Sequence, residues 1–305
     1  MIRQTVTMLA AGFLMSCCAF AHSEPGTDTP VENIPVANVP VRDSMPQSAA
    51  AGAVSGRPLW EAGLLGLAIT QPAYPGSEER VSRALPLPFM IYRGKYLRAE
   101  RNNVGLRALK TPRTELDLGF AATLGSPSSD IPARHGMANL GTLIEFGPRL
   151  RVNLGDLGDI RRDSRFQFPL RQVIDISHGF VLRGITFEPQ WVRDTRLSGH
   201  WLVSTELGML FGDKKLADTF YGVSPGDATP TRDSYTASSG LFALRAGLFV
   251  SHAVTPDVRL FYSFRIESLA GAANRDSPLV RRSLDWGAMI GFALTLASSE
   301  RPAED

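Results

Sequence analysis

The chain contains 305 residues, of which 44% are hydrophobic and 20% are charged, and its formal net charge at pH 7 is +2. This length is enough for one large domain or two small ones. A charge so close to zero gives no strong overall positive field that would favour binding to nucleic acid, so no nucleic-acid partner is expected.

The first predicted element is a secretory signal peptide over residues 1–21. Arg3 supplies a short positive region, and a mostly apolar run follows it. Ala19 and Ala21 form an A-x-A cleavage site, which is typical of a signal peptide that is removed on export. An uncleaved membrane anchor is one alternative, but the apolar run is short for a membrane span.

Both cysteines of the chain, Cys17 and Cys18, lie inside the predicted signal peptide. The mature protein would therefore contain no disulfide, zinc thiolate or cysteine nucleophile. Lipidation of Cys17, which follows Leu14-Met15-Ser16, is a further alternative to cleavage after Ala21.

Residues 22–58 are predicted to form a disordered periplasmic arm, because they contain six prolines and no aromatic residue. Such a segment cannot bury enough apolar surface to fold by itself. A weak five-residue repeat begins at Pro30, Pro35 and Pro40, and this spacing favours an extended, semi-rigid chain. The arm is interpreted either as an inert linker or as a segment that reaches a periplasmic partner.

From Trp60 onward, polar and apolar residues alternate with a period of two, which indicates β-strands. In the segment 143–152, LIEFGPRLRV, the charged residues Glu145, Arg149 and Arg151 share one phase, and apolar residues occupy the other. Many of these segments are as long as a membrane-crossing strand, which needs about 9–11 residues. No run of 18 apolar residues follows the signal peptide, so helical membrane spans are not expected.

The predicted fold class is all-β, a transmembrane antiparallel β-barrel of about 12 strands over residues 59–297, followed by a C-terminal tail at 298–305. The predicted strands are 60–70, 85–92, 95–100, 103–110, 114–124, 139–153, 165–175, 179–192, 199–212, 239–253, 256–269 and 283–296. Connections after odd-numbered strands are mostly long and those after even-numbered strands mostly short, as in bacterial outer-membrane barrels. The expected location is the cell outer membrane, with membrane lipid outside, long loops extracellular and both chain ends periplasmic.

The alternation also predicts which charged side chains face the lumen. These candidates are Asp117, Glu145, Arg149, Arg151, Arg171, Asp175, Glu188, Glu206, Arg245, Arg259, Arg265, Glu267 and Asp285. Two interpretations remain open. The charges could fill a narrow lumen as mutual ion pairs, or they could line a small polar pore or ligand site, because the size of a twelve-stranded barrel does not decide between them.

No catalytic residue, cofactor or metal is predicted. The motif H-E-x-x-H and the P-loop are missing from the sequence. Ser177–His178 and Ser251–His252 are adjacent pairs, but neighbouring residues on a strand point to opposite faces, so neither pair forms a dyad by itself. A lipid hydrolase is the third functional class, to be tested by assay.

Six short motifs occur in order along the chain. They are YPGS at 74–77, PLPFMIYRGKYL at 86–97, ARHGM at 133–137, EFGPRL at 145–150, FYGV at 220–223 and DSPLV at 276–280. Together with the signal peptide, their order and spacing resemble the MltA-interacting protein family, also called MipA/OmpV, over about residues 60–296.

The resemblance implies an outer-membrane β-barrel that acts as a scaffold. The name-giving members bring a murein-cleaving lytic transglycosylase together with a murein-synthesising penicillin-binding protein. The expected function is therefore a non-enzymatic scaffold with a murein hydrolase and a murein synthase as periplasmic partners. An outer-membrane channel for small polar solutes, using the charged lumen, is the alternative.

Overall fold

A computed structural model of the chain describes residues 58–93, 98–100, 103–105, 109–111, 113–154, 162–198 and 200–301. The predicted signal peptide, with its cleavage residues Ala19 and Ala21, lies outside the described residues. So does the predicted arm up to Arg57, and the predicted C-terminal tail is described only as far as Arg301.

The described chain consists mainly of β-strands joined by loops. The strands are β1 Trp60–Pro72, β2 Arg80–Arg93, β3 Arg98–Glu100, β4 Asn103–Gly105, β5 Leu109–Lys110, β6 Thr114–Thr123, β7 Leu143–Asn153, β8 Arg162–Asp175, β9 Val181–Phe187, β10 Gln190–Ser198, β11 Trp201–Gly212, β12 Gly240–Ala253, β13 Val258–Ser268 and β14 Leu284–Ser298. One short helix, α1, spans Lys214–Tyr221. Within the described ranges, no helix is long and apolar enough to cross a membrane.

All the strands belong to one antiparallel sheet. Its order is β4-β3-β2-β1-β14-β13-β12-β11-β10-β8-β7-β6-β5, and β9 pairs with β8 and β11. The two ends of this path, β4 and β5, are only three residues apart in the chain. Since Cα atoms of β4 and β6 come within 8 Å of each other, the sheet returns on itself as a barrel.

The described strands fill twelve positions of the barrel, because two positions are each filled by two short strands. β9 and β10 run one after the other between the same neighbours, β8 and β11, and only Glu188 and Pro189 separate them. β4 and β5 are two parts of the position predicted at 103–110. The prediction of an antiparallel barrel of about 12 strands is confirmed.

Some strand boundaries differ from the prediction. β2 begins at Arg80 rather than at residue 85, because its full length pairs with β1. The strand predicted at 179–192 continues to Ser198, since β10 pairs with β8 and β11 over this length, so 193–198 is not a connection. β3 is described over Arg98–Glu100, and the earlier part of the strand predicted at 95–100 lies outside the described residues.

The alternation of polar and apolar residues separates the inside of the barrel from the outside. On β7, Glu145, Arg149 and Arg151 point inward and are 6%, 1% and 5% exposed. Phe146 and Leu150 point outward and are 41% and 37% exposed. The reverse phase would place the charges in lipid, at about 2–4 kcal/mol for each arginine near the midplane, so this register is strongly favoured.

The two ends of the barrel differ in the length of their connections. One end, the loop end, carries the long connections 73–79, 124–142, 213–239 and 269–283. At the other end, the turn end, β1 begins and β14 ends, and short connections such as 254–257 join the strands.

The long loops pack together over the loop end and form a cover that we call the lid. Its apolar core contains Ala73, Tyr74, Val81, Leu124, Ile131, Ala133, Leu140, Leu143, Val173, Leu210, Leu216, Ala217, Phe220, Tyr221, Val223, Ala237, Phe242 and Leu279. Because this core combines loop residues with strand ends, the lid is a packed part of the barrel.

Helix α1 is the largest single element of the lid. It begins where the Asp213 carboxylate accepts a hydrogen bond from the Leu216 backbone nitrogen at 2.9 Å, an N-terminal cap. Its buried side presents Leu216, Phe220 and Tyr221 to the lid core. Asp213 lies so close to Gly184 of β9 that a Cβ at this glycine would be 2.1 Å from its carboxylate oxygen. Gly184 therefore leaves the space for the helix cap, with a φ of +127°.

Candidate functional site

The main polar feature inside the barrel is a row of charges of alternating sign, which we call the charge ladder. In spatial order its members are Glu145, Arg171, Glu188, Arg245, Glu267 and Arg265. They come from β7, β8, the junction of β9 and β10, β12 and β13, so the ladder follows the inner wall around about half of the barrel.

Neighbouring members of the ladder are in direct contact. Arg171 Nη1 lies 3.8 Å from Glu145 Oε2 and 3.2 Å from Glu188 Oε2. Arg245 lies between two carboxylates, with Nη1 2.6 Å from Glu188 Oε1 and Nε 2.9 Å from Glu267 Oε1. These buried charges are paired with one another, as the low polarity of a filled lumen requires.

One ion pair of the charge ladder joins strand positions that are not neighbours, with β11 between them. Gly208 points inward and lies opposite Arg245 on one side and Gln190 on the other. Arg245 reaches across β11, and its Nη1 donates to Glu188 Oε1 at the junction of β9 and β10. A Cβ at Gly208 would lie 2.9 Å from the Gln190 Cβ and 3.2 Å from the Pro189 carbonyl oxygen, so this glycine allows β10 to approach β11 closely.

A second ion-pair group joins β6 and β7. Arg149 donates to Asp117 through two bonds, Nε to Oδ1 at 2.9 Å and Nη2 to Oδ2 at 2.8 Å. Arg151 Nη2 lies 3.0 Å from the same Oδ2, and its Nη1 lies 3.9 Å from Glu115. The paired, two-bond geometry is the strongest form of an arginine–carboxylate contact.

A third polar group lies nearer the turn end, and the sequence interpretation missed it. Arg165 Nη1 donates to Asp194 Oδ2 at 2.8 Å, and the Ser204 hydroxyl donates to the other oxygen of Asp194. Gln190 Nε2 donates to Gln167 Oε1 at 3.4 Å. Asp194 was assigned to a connection, but alternation past residue 192 would have indicated that it faces the lumen.

Another part of the inner wall is apolar. Leu67, Ile69, Phe249, Phe261 and Met289 form a buried cluster on β1, β12, β13 and β14, with inward residues of β2 packed against it. The inside of the barrel is therefore divided into a charged half and an apolar half.

A small cavity of about 60 Å³ lies between the lid and the charge ladder. The lid contributes Tyr74, Leu216 and Phe220 to its lining, and the ladder contributes Arg245 and Arg265 among others. A volume of this size holds a few water molecules at most.

Two buried tyrosines in the lid have shifted acidities. Burial raises the pKa of Tyr74 to about 12, although the positive charge of Arg134 partly opposes the shift. Its hydroxyl donates to the Leu279 carbonyl at 2.7 Å. Burial likewise raises the pKa of Tyr221, whose hydroxyl has no hydrogen-bond partner among the described residues. Both side chains therefore remain neutral phenols at physiological pH.

Two buried arginines hold the lid loops together. Arg134 Nη1 donates to the Phe220 carbonyl at 3.2 Å, and burial lowers its pKa. Arg232 Nη1 donates to the carbonyls of Ala133 and His135 at 3.0 and 3.1 Å. These bonds join loop 213–239 to loop 124–142, so the lid is cross-linked by side chain-to-backbone hydrogen bonds.

The structure places all the predicted lumen residues on the inner face. Those that are buried are Asp117, Glu145, Arg149, Arg151, Arg171, Asp175, Glu188, Glu206, Arg245, Glu267 and Asp285. Arg259 and Arg265 are half-buried. They do not form one site: Asp285 accepts a bond from the Gly76 nitrogen at 2.9 Å beneath the lid, whereas Arg259 lies near the turn end.

The serine–histidine pairs do not come together as catalytic dyads. Ser251 is buried on the inner face, whereas His252 is stacked on Trp201, with ring centroids 4.0 Å apart. His178 Nδ1 contacts Asp175 Oδ2 at 2.8 Å, while the Ser177 hydroxyl accepts a bond from the Thr142 nitrogen. Among the described residues, no group of three or more His, Cys, Asp or Glu side chains could hold a metal ion.

Comparison of the sequence with protein families gives a match over residues 65–296, to the family described as MltA-interacting protein MipA. The match covers most of the chain and most of the barrel. The chain belongs to the MipA family. This MipA-family protein is a β-barrel of the outer membrane, and its apolar outer surface faces the lipid of that membrane. A comparison with curated proteins found no match.

Several solved outer-membrane proteins are similar to this MipA-family chain over most of their length. The NanC porin is 9% identical, with a TM-score of 0.38, and the match covers 76% of this chain and 100% of NanC. The toluene transporter TodX of Pseudomonas putida is 9% identical, with a TM-score of 0.33 and coverage of 79% and 90%. Outer membrane phospholipase A from Escherichia coli, as an active-site mutant, is 13% identical, with a TM-score of 0.35 and coverage of 83% and 96%.

Proposed function

We propose that this protein is a non-enzymatic scaffold that anchors murein-remodelling enzymes to the outer membrane. The observation that carries the proposal is the filled interior: ion pairs pack the charged half of the lumen and the lid covers the loop end. An interior built in this way favours a structural anchor over a route for solutes. The name of the family, MltA-interacting protein, supports a murein hydrolase as one partner.

The scaffold acts by raising the local concentration of the enzymes that it binds. An anchored barrel that binds a lytic transglycosylase and a penicillin-binding murein synthase keeps both at one place, which raises their effective concentration for each other. With the loop end outside the cell, the partners meet the turn end. Exposed charges there include Arg113 and Asp257, and these are the first candidates for contact residues.

A binding measurement tests the scaffold. The purified protein in detergent is immobilised, and the soluble domains of a lytic transglycosylase and a murein synthase are passed over it. We expect both to bind, and we expect Arg113→Glu with Asp257→Arg to weaken binding about tenfold. The matched control is Arg275→Glu, since its 60% exposed side chain lies at the loop end. Binding of neither enzyme, or equal binding by both variants, would contradict the proposal.

A conductance measurement tests the channel alternative. In planar bilayers we expect no steady openings, because the ladder and the lid occupy the path through the barrel. Steady openings whose size changes on Arg149→Ala or Arg151→Ala replacement would instead support a pore for small polar solutes. A lipid hydrolase is tested separately, by incubating the protein with phospholipid and with lipopolysaccharide. We expect no hydrolysis of either substrate.

A further inference from the structure

Within the part of the chain that the structure describes, the barrel wall is incomplete on one side. β2 pairs with β1 from Arg80 to Tyr92, but among the described residues it pairs with β3 only at Tyr92 and Arg93. The described residues of β5 pair with β6 at Glu115 and Leu116 alone. The β3–β4 hairpin already turns between Glu100 and Asn103, so it covers only the part of the wall near the turn end. Above it, the edges of β2 and β6 bound a gap that we call the side opening.

The edge of β2 at this opening is not suited to bind another strand. Pro86 and Pro88 are two residues apart, so their backbone nitrogens point to the same edge of β2. Since proline nitrogens cannot donate to a neighbouring strand and the pairing of β2 with β1 is unbroken, this edge is the one that faces away from β1. Prolines cannot donate hydrogen bonds to an added strand and are a common protection of exposed edges. The opening therefore faces lipid rather than a docked peptide.

Arg83 lies at the opening. It pairs across the sheet with Ile69, which is 5% exposed and points inward, so Arg83 belongs to the inner face. Arg83 is nevertheless exposed, unlike Val81 on the same face. Its Nη1 donates to the Ser82 carbonyl at 3.0 Å, and no ion pair joins it to a described carboxylate. Ser82 is separated from Pro86 and Pro88 by an even number of residues, so its carbonyl points to the same free edge of β2. The guanidinium of Arg83, which binds this carbonyl, therefore also lies at the free edge.

The inner wall behind Arg83 is apolar. Leu85 and Leu87 follow it on the inner face of β2, and both are packed, only partly buried, against the cluster of Leu67 and Phe261. The facing strand, β6, carries small residues on its inner face at this level, such as Gly119. A positive charge at the entrance and hydrocarbon-like side chains behind it form an amphipathic site.

We propose that the side opening binds an anionic single-chain amphiphile from the surrounding membrane. Its hydrocarbon chain lies against Leu85, Leu87 and the apolar inner wall, and its anionic group meets the guanidinium of Arg83. Arg83 lies three residues from the loop end of β2, about 10 Å along the strand, a depth near the lipid headgroups.

Photo-crosslinking tests the site directly. The full barrel is reconstituted in vesicles with palmitic acid that carries a photoreactive group near the end of its chain. We expect adducts at inward positions such as Leu85, Leu87 and Leu67. Adducts confined to outward residues of the same strand, such as Ala84 and Met90, would overturn the proposal, because they would show contact with bulk lipid only.

Variants of two arginines on one strand test the headgroup. We expect Arg83→Gln and Arg83→Glu to reduce binding of palmitic acid about tenfold or more. Arg80→Gln is the matched control, because Arg80 points outward, with its guanidinium 3.7 Å from the centre of the Trp286 ring. Each variant is first checked for a folded barrel by its electrophoretic mobility without heating. Equal binding of palmitic acid by the Arg83 and Arg80 variants would overturn the proposal.

Uncharged hexadecanol should bind about tenfold more weakly than palmitic acid, and binding as tight as that of the acid would also overturn the proposal. Comparison with lysophosphatidylglycerol then distinguishes a phosphate-bearing source from a carboxylate, since the tighter of the two probes identifies the group that Arg83 prefers.

Discussion

At the scale of single residues, the protein shows how charge is accommodated inside a membrane barrel. Arg149 and Arg171 are each 1% exposed, a burial that an isolated guanidinium could not tolerate. Each is in contact with a carboxylate from a neighbouring strand. The cost of breaking such a pair is much larger than the gain of forming it, because the remaining partner stays buried and charged.

Replacement of Asp117 by Ala should be strongly destabilising. It removes the carboxylate that both Arg149 and Arg151 contact. We expect a loss of about 3–5 kcal/mol in the free energy of unfolding, measured by urea titration in lipid vesicles. The control is Asp218→Ala, which breaks an exposed pair with Lys214 and should cost less than about 1 kcal/mol. Equal losses would show that the inner pair is not desolvated.

The two lid tyrosines should respond differently to removal of their hydroxyls. Tyr74→Phe leaves the buried Leu279 carbonyl without its donor and should cost about 1–3 kcal/mol. Tyr221→Phe removes a buried hydroxyl that has no described partner, so it should be neutral or stabilising. Thermal unfolding of the two variants measures the difference. A larger loss for Tyr221→Phe would indicate a hydrogen bond that involves its hydroxyl.

At the scale of elements, each strand separates two environments by the parity of its residues. β7 and β11 show this most clearly, with buried and exposed positions in alternation over most of their length. The lid is organised in another way, as loops that share one apolar core. The strands depend on a regular pattern, and the lid depends on packing between segments that are far apart in sequence.

Spin labels should report this parity. Labels at Phe146 and Leu207, which are 41% and 55% exposed on the outer face, should be accessible to oxygen dissolved in the lipid. Labels at Glu145 and Glu206 should be shielded from it, because these positions face the packed interior. Power-saturation measurements in vesicles distinguish the two, and an inverted result would contradict the register of both strands.

Loss of Arg232 should loosen the lid without unfolding the barrel. In Arg232→Ala the bonds to Ala133 and His135 are removed, so loop 213–239 is no longer joined to its neighbour. We expect trypsin to cut at Lys214 or Lys215 at least about tenfold faster, while the β-sheet signal in circular dichroism is unchanged. Arg275→Ala, at an exposed site of the same end, is the control and should not change the rate.

The sequence indicated the strands better than it indicated the lid. β7 was predicted within a few residues because its charges fall in one phase and its apolar residues in the other. Residues such as Ile131 and Leu279 are buried in loops that have no fixed period, so no pattern reveals that they meet. The phase also selected the members of the charge ladder but not their partners, because the pair Glu188–Arg245 joins strand positions that are not neighbours, and alternation along one strand does not reveal such a contact.

At the scale of the whole molecule, two cores of different character are combined. The barrel interior is divided into a charged half and an apolar half, and the lid adds a second apolar core above it. The lid rests on the strand ends, whereas the strands are held by their own backbone pairing. The molecule should therefore lose its order in two stages.

Alkaline pH should separate these stages. The pKa of Tyr74 is raised to about 12 from 10.0 by burial, so the unfolded lid releases this proton at lower pH than the folded lid does. Stability is therefore unaffected below about pH 10 and falls as pH rises towards about 12, with Tyr221 acting in the same direction. We expect near-ultraviolet signals of the lid to disappear before the β-sheet signal. Simultaneous loss would contradict an independent lid, and Tyr74→Phe should shift the first stage to higher pH.

The positions of the ion-pair partners also bear on how the protein enters the membrane. Asp117–Arg149, Arg171–Glu188 and Arg245–Glu267 each join strand positions that follow one another along the chain. A newly exported hairpin can thus carry its principal opposite charges into the bilayer already neutralised. Only the links between hairpins, such as Glu188–Arg245, have to wait for later assembly. Insertion hairpin by hairpin is the order that this arrangement makes least costly.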